Sequence, residues 1–144
     1  MADTASYLAF IREQGVTTAQ LPDNSLYIQT SYNIAIALVY EVIACVSTVI
    51  YDQCVYNLAF DRLVNIAIDQ TGQTIFADLR KANGLNTFVG GVIQSSSDVS
   101  TSESMVVPDF AKTLTLSDLQ RLKTPWGRAY LELAQSAGPL WGLT

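Results

Sequence analysis

The chain has 144 residues, 49% of them hydrophobic and only 15% charged, with a mean hydropathy of +0.24. An ordinary soluble domain carries about 25% charged residues, and so apolar a chain is not intrinsically disordered. A net charge of -5 and a pI near 4.4 argue against a basic nucleic-acid-binding surface, and the absence of histidine removes every site that needs imidazole.

One domain of ordinary size remains, with more apolar surface than a monomer of this length needs. A neighbouring subunit or a bilayer is expected to cover the excess. Residues 1–77 hold seven acids and two bases, while 78–144 hold six of each. The N-terminal half is therefore acidic and apolar. Cys45 and Cys54 are too few for a disulfide framework or a ligand set, and their apolar context predicts buried free thiols. The start Met1-Ala2-Asp3-Thr4 has no positive segment ahead of an apolar core, so the expected setting is intracellular and reduced.

In chain order, Thr4 to Gln14 reads as a short helix capped by Asp3 or Thr4 and stopped by Gly15. Val16 to Leu21 links it to Pro22-Asp23-Asn24-Ser25, a helix-start signal. The next helix is predicted from Leu26 to about Ala44 and is apolar nearly all round, which places it in a core, an assembly or a membrane. The β-branched cluster Val46-Ser47-Thr48-Val49-Ile50 predicts a bend or break. From Tyr51 to Asp69, Gln53, Asn57, Asp61, Asn65 and Asp69 recur at i+4 spacing, predicting an amphipathic helix with one wet face.

A short helix from Thr74 to Ala82 is predicted to stop at Asn83-Gly84. Thr87 to Ile93 and Met105 to Pro108 flank the Ser-rich run from Gln94 to Ser104, predicting a β-hairpin or a long protruding loop at 88–107. Ser117-Asp118-Leu119-Gln120 matches a capping box. Thr124-Pro125 starts a last helix through Ala137, and Gly138-Pro139 stops it before the apolar peptide Leu140 to Thr144. The expected fold is mainly α: one domain over 1–144, a small helical bundle with the 88–107 insertion and a C-terminal docking tail at 138–144.

The stretch Asn33 to Tyr51 has the length of a membrane span. Glu41 in its middle, Ser47 and Thr48, and the lack of any base between Arg12 and Arg62 all weigh against one. Chemistry is equally thin. The serines at 95–104 read as loop composition, Gly90-Gly91 is no phosphate loop, and no Ca²⁺ loop spacing occurs. Paired carboxylates such as Asp52 with Asp61, or Asp61 with Asp69, could serve acid–base hydrolysis, but the i+4 stripe explains Asp61 and Asp69 more simply as a solvated face. No enzyme activity, metal or cofactor is expected.

The distinctive residues lie at the end: Trp126, Arg128 and Tyr130, then Leu140, Trp141 and Leu143. Trp, Tyr and Arg anchor interfaces, so these are the predicted partner-interface residues, although Trp126 and Tyr130 at i, i+4 also fit core anchors. Trp141 follows the helix stop on a peptide too short to fold alone.

Several segments resemble small structural proteins of tailed-bacteriophage necks, the head-to-tail connector (adaptor) family. They are Ile50-Tyr51 through Val55-Tyr56-Asn57-Leu58-Ala59-Phe60-Asp61-Arg62-Leu63-Val64-Asn65, Asp98 to Ser102, Lys123-Thr124-Pro125-Trp126-Gly127-Arg128-Ala129-Tyr130 and Leu140-Trp141-Gly142. The resemblance spans about two-thirds of the chain and implies a mainly helical subunit of a homo-oligomeric ring of about twelve copies with head-to-tail interfaces. It implies a portal protein and tail or nozzle proteins as partners, DNA passing without sequence-specific binding, and residence in the virion neck after assembly in the host cytoplasm. By the same resemblance Gly138 to Thr144 would grip the portal. The acidic half would line a channel to which DNA does not stick, with Asp61 and Asp69 as the channel-facing candidates. The alternative is a small phage membrane protein of holin type, spanning near 33–51.

Overall fold

The structure is a computed structural model that describes residues 2–87, 95–98, 101–104 and 115–137. The expected mainly helical architecture is present, with seven helices among the described residues.

Helix α1 (Thr4–Glu13) starts under Asp3, whose carboxylate accepts the Ser6 N–H at 2.9 Å and the Ser6 hydroxyl at 2.8 Å. Those two bonds hold the Asp3 carboxyl below its ordinary pKa. Gly15, at φ +87°, supplies the left-handed backbone at its exit. Helix α2 (Leu26–Leu38) is capped by the Ser25 hydroxyl.

Two predicted boundaries are corrected here. The apolar helix does not run on to Ala44: Val39 is extended (φ -78°, ψ 124°) and puts its β-branched side chain into the core. A single turn, α3 (Ile43–Val46), follows, and Ser47 is extended again. The break predicted at 46–50 is confined to Ser47, whose hydroxyl accepts from Ile50 N–H and caps α4 (Thr48–Ile66). The stretch 33–51 is thus three pieces, and no helix among the described residues is long and apolar enough to cross a membrane.

Helix α4 is the central element, with α2 and α7 (Pro125–Ser136) as its main neighbours and α1, α3 and α5 (Ile75–Ala82) around them. The predicted wet face holds only at its ends, where Gln53 and Asn65 are exposed. In the middle Asn57 and Asp61 are only 8% and 2% exposed, and the Thr124 cap of α7 lies on Asp61. Asn57 turns its amide back onto the Gln53 carbonyl, and Asn65 onto that of Asp61, at 2.9 and 2.7 Å. Asp69 lies beyond the helix, which ends at Ile66.

Helix α5 ends as predicted, at Gly84 with φ +62°. Helix α6 (Leu116–Arg121) has a capping box, but its members are Thr115 and Asp118 rather than Ser117 and Gln120. Thr124 and Pro125 open α7 as the sequence predicts. The expected hairpin with β-branched arms is not supported. Its arms at 88–94 and 105–107 lie outside the described residues, and the pairing described there is a short antiparallel ladder of Ser95–Asp98 (β1) with Thr101–Ser104 (β2).

One apolar cluster joins residues from α1 through α5 and α7. Rings run through it in series: Tyr7 stacks on Tyr32 and Tyr56 at 5.6 and 6.1 Å, Phe10 meets Phe60 at 6.1 Å, and Phe60 meets Trp126 at 4.6 Å. The Tyr7 hydroxyl pairs with the Ser31 hydroxyl at 3.0 Å, and burial raises its pKa above the ordinary tyrosine value.

Candidate functional site

Two regions hold the residues that the sequence singles out. The first is the corner where α6 and α7 close on α4. The buried Thr124 hydroxyl accepts from Gly127 N–H at 2.9 Å and donates to the Asp61 carboxylate at 2.5 Å. Burial raises the Asp61 pKa; the Thr124 bond and the nearby Arg62 and Arg121 charges pull against it. Asp61 is therefore buried in this fold and not on its surface.

Gly127 lets the corner close. A Cβ there would sit 2.0 Å from the Arg121 carbonyl oxygen, inside any permitted contact. Arg128 donates to the Leu122 carbonyl at 3.0 Å, and Arg121 pairs with Asp118 at 3.3 Å while lying 5.1 Å over the Tyr130 ring. Trp126 leans on Phe60 and donates its indole N–H to Gln14 at 3.0 Å.

Tyr130 is 5% exposed, so it serves the core and not a partner surface. Trp126 is largely a core anchor as well, since its ring and its N–H both meet this chain. Arg128 is exposed. Leu140, Trp141 and Leu143 lie outside the described residues.

Asp69, the other channel candidate, has a local task. Its two oxygens accept Phe76 N–H at 2.8 Å and Ala77 N–H at 2.9 Å, at the start of α5. Thr74, the residue in the cap position, makes no such bond, so a carboxylate from the preceding loop replaces it. Arg80 then ties α5 to the Val64 and Ala67 carbonyls at 3.0 and 2.7 Å. No group of three His, Cys, Asp or Glu side chains able to hold a metal occurs among the described residues.

The second region is the stretch where α2 ends, α3 turns and α4 begins. Ile36, Leu38, Val46 and Val49 are exposed along it by 40%, 40%, 57% and 69%, while Leu26, Ile68, Leu119 and Leu122 are exposed elsewhere. Glu41, Ala44, Thr48 and Tyr51 line a small hollow of about 130 Å³ in this stretch. Cys45, in α3, is exposed, against the expectation of burial, whereas Cys54 is buried as expected. The composition signals this apolar surplus, but its position depends on the breaks at Val39 and Ser47, which turn α2 and α4 back to back. An open hollow of about 420 Å³ between Gln20, Thr74 and Asp78 is lined by no charged cluster.

Comparison with known protein families, with characterised proteins and with solved structures finds no match to this chain.

Proposed function

We propose that the chain is a structural subunit of a bacteriophage head-to-tail connector, one copy of a ring that joins the portal to the tail around the DNA path. The observation that carries this reading is the number of exposed apolar side chains on so small a bundle, among them Leu26, Ile36, Leu38, Val46, Val49 and Ile68. A neighbouring subunit is the cover that fits such a surplus. No Lys or Arg lies between Arg12 and Arg62, so this stretch itself offers no cation to an anionic lipid or nucleic acid. The segments that resemble the connector family supply the kind of assembly, and the role is mechanical rather than catalytic.

In this reading, passing DNA slides along an acidic wall. Exposed acids such as Glu13 and Glu41 are better placed to form it than Asp61, which is buried, or Asp69, which caps α5. Electron microscopy of the purified chain, alone and mixed with portal rings, tests the proposal. Rings of this chain, free or seated on the portal, are expected. A monodisperse monomer that leaves portal rings bare overturns it.

A further inference from the structure

Asn83-Gly84 is the one Asn-Gly step in the chain, and it falls where α5 ends. Gly84 takes left-handed backbone at φ +62°. Its N–H donates to the Lys81 carbonyl at 3.2 Å, and the Leu85 N–H donates to the Arg80 carbonyl at 2.9 Å. These are the paired bonds of a Schellman cap. The Asn83 side-chain amide donates to the Leu79 carbonyl at 2.8 Å. From the other side of the corner, the Lys123 ammonium reaches the Gly84 and Thr87 carbonyls at 3.4 and 2.9 Å. Lys123 immediately precedes Thr124, the cap of α7, so the start of α7 holds the end of α5.

An asparagine followed by glycine is open to loss of its side-chain amide, because no Cβ shields the following nitrogen. The Gly84 nitrogen gives up its proton and attacks Asn83 Cγ. The N–Cγ bond forms, the Cγ–Nδ2 bond breaks, and ammonia leaves a five-membered imide. Water then opens the ring at either carbonyl, giving aspartate or isoaspartate. In the fold neither partner is free to react. The Gly84 N–H is held by Lys81 and the Asn83 amide by Leu79. Asn83 backbone at ψ 5° turns the Gly84 nitrogen away from its own Cβ, so the reacting atoms are out of line. Ring closure needs the last turn of α5 to open, a local event that costs less than unfolding the core.

We propose that Asn83 is a conformationally gated modification site, converted to aspartate or isoaspartate when Lys123 releases the end of α5 and closed while that contact holds. The change runs one way. Aspartate has no donor for the Leu79 carbonyl and puts negative charge at the negative pole of α5. Isoaspartate adds a methylene to the backbone and breaks the spacing of the two cap bonds. A chain once converted there does not regain the native cap. None of this requires the chain to assemble into a ring.

The test compares the native full-length chain, the chain held unfolded in guanidinium chloride, and the Lys123→Met and Lys123→Arg variants at mildly alkaline pH. Mass spectrometry of tryptic peptides reads amide loss at Asn83. Conversion in the native chain is expected to be slower than in denaturant on the order of tenfold or more. Lys123→Met keeps the apolar stem and loses the ammonium, and is expected to speed native conversion severalfold. Lys123→Arg keeps a charged donor and is expected to stay close to the native rate. Amide exchange at Gly84 and Leu85 should quicken in Lys123→Met while exchange in α4 is unchanged, which separates local release from general unfolding. Conversion as fast in the native chain as in denaturant overturns the gate, and no conversion in denaturant overturns the site. An unchanged rate in Lys123→Met, or an acceleration matched by faster exchange across α4, overturns the role of Lys123 and the proposal with it.

Discussion

The Thr124 hydroxyl donates to the Asp61 carboxylate at 2.5 Å across 63 positions of sequence, with both residues buried. The same hydroxyl accepts from Gly127 N–H, so one side chain caps α7 and fastens it to α4. Removing it leaves a buried carboxylate without its donor and an uncapped helix. Thr124→Val is expected to cost about 2–4 kcal/mol, combining a lost cap with an unsatisfied buried acceptor. Thr124→Ser keeps both bonds and is expected to lose much less. Urea unfolding of the two variants checks this, and equal losses would contradict the two-bond role.

Burial holds the Asp61 pKa above its ordinary value, so its proton binds more tightly in the folded than in the unfolded chain. Its contribution to stability is full below the unfolded-state value, about pH 4, and is lost as pH rises through the higher folded-state value. The difference in unfolding free energy between the native chain and Asp61→Asn should therefore shift in favour of the native chain on acidification across that window. Asp3 works in the opposite sense, since its carboxyl is held low by Ser6; the difference from Asp61→Asn cancels it. A pH-independent difference would show that Asp61 titrates normally.

Local chemistry was legible in the sequence wherever a residue acts on its own neighbours. Asp3, Ser25 and the Thr124-Pro125 pair open helices, and Gly15 and Gly84 close them, because caps and left-handed turns are settled within four or five residues. The polar stripe on α4 misleads for the opposite reason. Spacing reveals that Asn57 and Asp61 share a face, but not that a helix more than sixty positions later covers it and supplies a hydroxyl to Asp61. The α6 cap misleads by frame: Thr115 and Ser117 both offer a hydroxyl, and only Thr115 has its acid three residues on at Asp118. The apolar surplus was legible as composition, while the exposure of Val46 and Val49 depends on the extended backbone at Val39 and Ser47 that breaks the chain there into separate helices.

Gly127 lies inside α7, where glycine-to-alanine exchange at a free position would stabilise by about 1 kcal/mol. Here the new Cβ would meet the Arg121 carbonyl oxygen at 2.0 Å, and backbone cannot move aside cheaply. Gly127→Ala is expected to destabilise by about 3 kcal/mol or more, lowering Tm on the order of 10 °C in a chain of this size. The opposite signs of the two effects make calorimetry decisive: a raised Tm would mean that α6 does not pack against α7 in this way.

Asp69 accepts the N–H groups of Phe76 and Ala77 from outside α5. Asp69→Ala is expected to cost about 1 kcal/mol, with the loss concentrated in α5. Amide exchange at Phe76 and Ala77 should quicken in this variant while exchange at the centre of α4 changes little. Asp69→Asn leaves one acceptor oxygen and is expected to fall between the two. Uniform acceleration across α4 and α5 would refute a local cap.

The two thiols differ in environment and so in reactivity. Cys45 is exposed, whereas Cys54 is buried against the core and burial pushes its pKa up to about 12. Thiolate is the reactive form, so near pH 8 Cys54 is disfavoured both by access and by ionisation. A maleimide or aromatic disulfide reagent is expected to label the native chain once, at Cys45, within minutes. The second equivalent should react only in denaturant, at a rate set by unfolding. Rapid labelling of both thiols in the native monomer would show that the packing of α4 against α7 around Cys54 is looser than the structure places it.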